Sequence, residues 1–172
     1  MSFAACFAFL PLALAVGGGG AAAAAGRSVV VAGPKEPVRL SGEMSLEVRL
    51  ENDGQEPFLA FGYLTWGRLG GLVLQIARYP SEEPVEPRFL DDSQIPSAMV
   101  NDALAFVRVY PGGFFGRRRA DPARLLFDRP GEYLVWVEYR SPVPKRFCPV
   151  KGCWSREDGV LVSNRIIVRV LK

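Results

Sequence analysis

A chain of 172 residues without a single histidine cannot run Ser-His-Asp or Cys-His nucleophile chemistry, and it cannot build an H-E-x-x-H metalloprotease or most imidazole metal sites. Twenty-one Lys and Arg against eighteen Asp and Glu leave a formal charge of +3. That is short of the clustered basic charge of nucleic-acid binders, so no nucleic-acid partner is expected.

Residues 1–26 carry no side-chain charge; Phe3–Val16 is an apolar run and Gly17–Gly26 a Gly/Ala tract. Ala23-Ala24-Ala25 supplies small residues for cleavage before Gly26. Residues 1–25 are therefore expected to be a secretory signal peptide and 26–172 a single folded domain, extracytoplasmic in location (periplasmic or secreted). The n-region lacks Lys and Arg, so an uncleaved N-terminal membrane anchor is the alternative, the uncharged stretch being long enough to span a bilayer. Four consecutive glycines speak against it, each lowering helix propensity by about 1 kcal/mol relative to Ala. No membrane span is expected after leader cleavage.

Cys6 would leave with the leader, and Cys148 and Cys153 remain as an even pair suited to an oxidising compartment. Their spacing is not the C-x-x-C of a redox motif. A structural disulfide is expected, closing a loop short enough that the chain-entropy gain is only about 2 kcal/mol. Zinc would need more ligands than this loop offers, and no cofactor or metal is expected.

Ser28–Ala32 is a candidate strand, broken by Gly33-Pro34 and continued by Pro37–Leu40. Met44–Glu51 alternates strictly, with Leu46, Val48 and Leu50 on one side and Glu47, Arg49 and Glu51 on the other, as in a strand with one wet face. Asn52-Asp53-Gly54 reads as a tight turn of residues that tolerate positive φ. Phe58–Trp66 is apolar on both faces and reads as one sandwich-core strand, with Gly62 a bulge or close approach. Leu72–Tyr79 is a strand, Pro80–Pro87 a loop or edge connection, and Met99–Ala103 a possible helical turn. Leu104–Tyr110 is a strand, Pro111-Gly112-Gly113 a turn, Phe114–Arg119 the hairpin partner, and Leu125–Phe127 a short strand. Gly131–Arg140 puts Tyr133, Val135, Val137 and Tyr139 on one face and Leu134, Trp136, Glu138 and Arg140 on the other. Val160–Leu171 closes the chain with Ile166, Val168 and Val170 inside, Arg165 and Arg169 outside. Eight or nine strands without a sustained 3.6-residue period predict an all-β fold.

Pro130-Gly131-Glu132-Tyr133, Ser163-Asn164-Arg165-Ile166 and Leu46–Gly54 resemble immunoglobulin-like sandwich modules of secreted bacterial proteins. In such modules a Pro-Gly-x-Tyr motif opens the penultimate strand and a Ser-Asn pair the last. The resemblance implies a single immunoglobulin-like antiparallel β-sandwich, with Tyr133 at the tyrosine-corner position. Val135 stands where antibody domains place a core cysteine, so their inter-sheet disulfide is absent. A fainter similarity is to small bacterial proteinase-inhibitor sandwiches, from which no inhibitory residues carry over. Neither resemblance fixes an activity.

Catalytic constellations are sparse. Glu82/Glu83 and Asp91/Asp92 are adjacent acids, unlike carboxylates held across a cleft, and read as solvated loop residues. Asp91, Asp92, Asn101 and Asp102 contain the oxygen donors for calcium, but without EF-hand spacing. Gly67–Gly71 lacks the lysine and hydroxyl of a P-loop. Two segments are candidate binding surfaces. Phe114, Arg117, Arg118 and Arg119 suit a polyanion, an acidic partner or a glycan; the alternative is a hairpin whose Phe residues pack inward beneath solvated arginines. The loop Lys145–Glu157 holds Phe147, Lys151 and Trp154 around the Cys148–Cys153 pair, and a staple lowers the ordering entropy lost on binding. The alternative there is that Trp154 and Phe147 fold back as a plug over the sandwich end. As a contact residue, Trp154 should be replaceable by Ala without unfolding. Trp66 and Trp136 are expected in the core. The favoured expectation is a non-enzymatic binding or accessory module whose partner is a protein or cell-envelope component. A proteinase inhibitor presenting the stapled loop, and a hydrolase working through carboxylates alone, are the alternatives.

Overall fold

The computed structural model describes residues 26–67, 70–85, 103–148 and 151–172. The expected signal peptide, the Met99–Ala103 turn apart from its last residue, and the calcium candidates Asp91, Asp92, Asn101 and Asp102 lie outside the described residues.

The alternation read in the sequence becomes strands. β1 (Arg27–Ala32), β2 (Val38–Arg39) and β3 (Glu43–Asn52) open the fold. β4 (Phe58–Phe61), β5 (Thr65–Trp66), β6 (Gly71–Arg78) and β7 (Pro84–Val85) follow. β8 (Phe106–Val109), β9 (Phe114–Pro122), the single helical turn α1 (Ala123–Leu126), β10 (Gly131–Tyr139), β11 (Leu161–Val162) and β12 (Ile166–Leu171) complete it.

The fold is all-β, but among the described residues it is built from three sheets. β1-β3-β9 form one, β2-β12-β10-β6-β5 a second with β7 on β6 and β11 on β10, and β4-β8 a third. β2 runs parallel to β12, and β5 parallel to β6. The all-β expectation is met; the three sheets and the two parallel pairings depart from the single antiparallel sandwich that the resemblance implies.

The first two sheets enclose the main core. β3 contributes Met44, Leu46, Val48 and Leu50, and β1 adds Val29 and Val31. The large sheet contributes Leu72, Leu74, Ile76, Tyr133, Val135, Val137, Tyr139, Val168 and Val170. Each such aliphatic side chain contributes about 1.5–3 kcal/mol on burial.

The third sheet exists because Phe58–Trp66 is two strands, not one. At Gly62 the chain approaches its neighbour closely: the Gly62 N–H donates to the Ala105 carbonyl at 2.7 Å, and a Cβ there would stand 3.0 Å from that oxygen. β4 then pairs with β8, and β5 joins the large sheet. The two apolar faces of β4 serve different cores. Phe58 and Ala60 enter the main one, while Phe61 packs with Phe106 and Val143 in a second.

Three further expectations change. β9 is not the hairpin partner of β8; it pairs with β3 across nine positions, Glu43↔Pro122 to Glu51↔Phe114. The Asn52 backbone captures the Pro111–Gly113 turn: Asn52 N–H donates to the Gly113 carbonyl, and Gly112 N–H to the Asn52 carbonyl. That launches β9 along β3. The segment read as a short strand, Leu125–Phe127, overlaps α1, closed by Phe127 N–H to the Ala123 carbonyl at 2.8 Å. The Asn52-Asp53-Gly54 turn uses no positive φ; the Gly54 N–H donates to Asn52 Oδ1 at 3.0 Å instead. Asn52 is itself buried, its Nδ2 donating to the Glu56 and Val109 carbonyls, each at 2.9 Å.

The motif residues behind the family resemblance have identifiable work. The Tyr133 hydroxyl lies 2.7 Å from the Arg129 carbonyl and 2.6 Å from Asp128 Oδ1, the geometry of a tyrosine corner. Ser163 Oγ accepts from the Val137 N–H at 2.9 Å and donates to the Asn164 carbonyl. Asn164 substitutes for a strand: its Oδ1 accepts from the Val31 N–H and its Nδ2 donates to the Val31 carbonyl, both at 2.9 Å. It ties the small sheet's edge to the lead-in of β12. Trp66 is in the core, as expected. Trp136 is buried too, but it stands opposite Gln75 on the outer face, beneath the Arg165 guanidinium, 5.0 Å from its ring centroid.

Candidate functional site

The described part of the loop between β10 and β11 is tied down at several points. Cys148 and Cys153 are joined by a disulfide, their Cα atoms 5.7 Å apart. The staple rests on β4: Leu59 N–H donates to the Gly152 carbonyl at 3.0 Å, and Trp154 N–H to the Leu59 carbonyl at 2.8 Å. Leu59, Phe147 and both cysteines pack against the second core.

Short polar links fix the rest of the loop. Residues 145–147 form a 3-10 turn, and residues 156–158 a second one with a capping box between Ser155 and Asp158. Ser155-x-x-Asp158 was a readable signature for it. The Glu157 carboxylate accepts from the Lys145 N–H at 2.8 Å, which holds its pKa below the usual carboxylate range. Arg156 N–H donates to the Val143 carbonyl, and Arg156 Nη2 to the Pro142 carbonyl at 2.7 Å.

Trp154 is not displayed. It is 1% exposed and belongs to the main core, so the plug reading holds for it and the free contact residue does not. The Arg27 guanidinium lies 4.6 Å from the Trp154 ring centroid and 5.0 Å from that of Phe58. Burial lowers the Arg27 pKa, and Asp158 opposes the shift. Phe147 is half-buried, with the Arg146 guanidinium 4.7 Å from its ring centroid. The exposed charges on this scaffold are mainly cationic: Lys145, Arg146 and Lys151, with Arg156 spent on Pro142, against Glu157 and Asp158, whose carboxylates accept bonds within the loop. Sequence reasoning singled out Lys151 and passed over Lys145 and Arg146.

The second candidate segment does not form one basic patch, because the two-residue period of β9 divides it. Arg118 pairs in register with Glu47 on the outer face, and its Nε donates to Ser45 Oγ at 2.9 Å. Arg117 and Arg119 stand on the inward-facing side of β9 with Phe115, where Arg119 is half-buried and Arg117 stays exposed. Arg117 Nη1 donates to the Leu64 carbonyl at 3.3 Å. Arg119 pairs with Asp121 at 3.1 Å, and the same carboxylate accepts from Trp66 Nε1 at 3.3 Å. Phe114 does not pack inward; it is 61% exposed, with Arg49 5.1 Å from its ring centroid.

Glu82 and Glu83 are exposed, and Glu82 pairs with Arg165 at 2.6 Å. Among the described residues no three His, Cys, Asp or Glu side chains gather as a metal cluster, and no helix is long and apolar enough to cross a membrane. The disulfide suits an oxidising, extracytoplasmic compartment.

No protein-family model matches this chain, and no curated protein matches it in sequence.

Proposed function

We propose that this chain is an exported, non-enzymatic binding or accessory module of the cell envelope, an immunoglobulin-like β-sandwich whose stapled loop contacts an acidic partner. The observation that carries the reading is the pre-ordered cationic loop. Lys145, Arg146 and Lys151 stand on a segment fixed by a disulfide, a capping box and two backbone bonds to β4. A surface ordered before binding loses less conformational entropy on association, and interspersed cations steer an acidic partner toward it. The partner is a protein or an envelope component bearing carboxylates or phosphates. The tyrosine corner at Tyr133 and the Ser163-Asn164 lead-in support the immunoglobulin-like assignment; the separate β4-β8 sheet is an elaboration that carries the loop.

Capture from envelope extract tests the reading, using residues 26–172 oxidised, reduced, and as the oxidised K145E/R146E/K151E variant. The oxidised native protein should retain a partner that the charge-reversed variant does not, with weaker capture after reduction. Equal capture by all three forms would refute the loop as the contact surface.

A further inference from the structure

One charge sits where the strand pattern calls for an apolar residue. β6 turns Leu72, Leu74 and Ile76 into the main core, and the next position on that face is Arg78, in register with Tyr133. Its guanidinium lies across Gly131, with Nη2 3.3 Å from where a Cβ would stand. Nη1 is sealed from solvent and has no hydrogen-bond acceptor. A buried guanidinium nitrogen left without an acceptor is costly, and such an atom marks a place where an acceptor belongs.

A cavity of about 210 Å³ adjoins it at this end of the sandwich. Val85, Leu126 and Phe127 supply apolar wall; Asp128, Arg129 and Tyr133 supply the polar part beside Arg78. Neither Asp128 nor Tyr133 is hydrogen-bonded to Arg78 Nη1. The Tyr133 proton is directed at Asp128 and the Arg129 carbonyl, and Asp128 also pairs with Arg129 at 3.6 Å. We propose that this cavity is a binding site for a small monoanionic carboxylate with an apolar body, its carboxylate on the Arg78 guanidinium and its body against Val85, Leu126 and Phe127. The planar guanidinium fork matches a carboxylate. Arg78 and Arg129 against Asp128 leave one net positive charge in the wall, which suits a monoanion better than a dianion such as phosphate. The volume is below the usual range for drug-sized ligands, about 300–1,000 Å³, which restricts the ligand to a few heavy atoms beyond its carboxylate.

The test is an NMR titration of oxidised, isotopically labelled 26–172 with sodium benzoate, and in parallel with benzamide and inorganic phosphate. Benzoate should give saturable shifts centred on the amides of Arg78, Phe127 and Tyr133, while benzamide and phosphate do not. Arg78→Met should weaken benzoate binding at least tenfold and, without ligand, leave the protein no less stable than the native form, since this nitrogen forms no bond to lose. Val85→Glu, at a half-exposed strand-edge position whose substitution spares the core, should abolish binding by placing a like charge at the wall. Equal binding of benzoate and benzamide, undiminished binding by either variant, or no saturable shift at about 10 mM benzoate, a level that would occupy most of a millimolar site, would overturn the proposal.

Discussion

Replacing Trp154 by Ala separates a core residue from a displayed one. Its indole is 1% exposed and packs in the main core between the stapled loop and β4. Truncating a buried Trp to Ala costs about 3–5 kcal/mol. The loss of the Arg27 stacking contact at 4.6 Å adds to this. One effect works the other way: the indole N–H is buried with no acceptor, and removing it returns roughly 1–3 kcal/mol of desolvation penalty. The expected net loss is about 3 kcal/mol, which for a domain of this size lowers Tm by roughly 6–12 °C. Trp154→Phe keeps a ring and deletes the unpaired donor, so it should cost only about 1 kcal/mol. Urea denaturation of oxidised 26–172, followed by far-UV circular dichroism, measures both variants. A Trp154→Ala loss under about 1 kcal/mol, or a Phe variant as damaged as the Ala variant, would refute the reasoning.

The Cys148→Ser/Cys153→Ser double variant should lose about 2 kcal/mol by the chain-entropy estimate for so short a loop; urea midpoints equal to those of the oxidised protein would contradict that. Tyr133→Phe removes a hydroxyl shared between a carboxylate and a carbonyl and should cost about 1.5–3 kcal/mol in the same assay. Burial and Asp128 push the Tyr133 pKa from 10.0 up to about 12, and burial raises that of Tyr139 as well. A raised folded pKa means the phenol's contribution is fully present below pH 10 and lost as pH climbs through about 12. Urea midpoints over that window should fall, less steeply in Tyr133→Phe; identical pH profiles would oppose the assignment. Asn52→Ala strips the buried Val109 carbonyl, the part-buried Glu56 carbonyl and the Gly54 N–H of their partner and should cost roughly 2–3 kcal/mol, a loss under 1 kcal/mol counting against Asn52 as the organiser of that turn.

The parts of the fold legible in the sequence are those where a long strand has one wet face. β3 alternates strictly over most of its ten residues, β10 and β12 keep the two-residue period on their inner faces, and these inner residues are core residues. Where a strand is apolar on both sides the period disappears, and with it any sign that β4 serves two cores or that the chain breaks at Gly62. That break depends on the Ala105 carbonyl, contributed from far along the chain. The partner of β9 was illegible for a similar reason: a tight turn argues for a local hairpin, but the Asn52 backbone holds this one. Period two, rather than composition, decides the fate of the Arg117–Arg119 run, placing Arg117 and Arg119 on one side of β9 and Arg118 on the other, with only Arg119 half-buried. In the loop, the cysteine spacing and Ser155-x-x-Asp158 were local signals and were readable. The burial of Trp154 was not, because its site is made by Phe58 and Arg27 from the other end of the domain.

The most direct test of the stapled loop as the contact surface is site-specific photo-crosslinking in the native envelope. One photoreactive residue replaces Lys151 on the loop, and a second, in a separate variant, replaces the exposed Ile167 on β12. A discrete adduct from position 151, absent at position 167 and lost when K145E and R146E are added, is the predicted result. An adduct from 167 but not from 151, or adducts at 151 indifferent to the charge reversal, would contradict it.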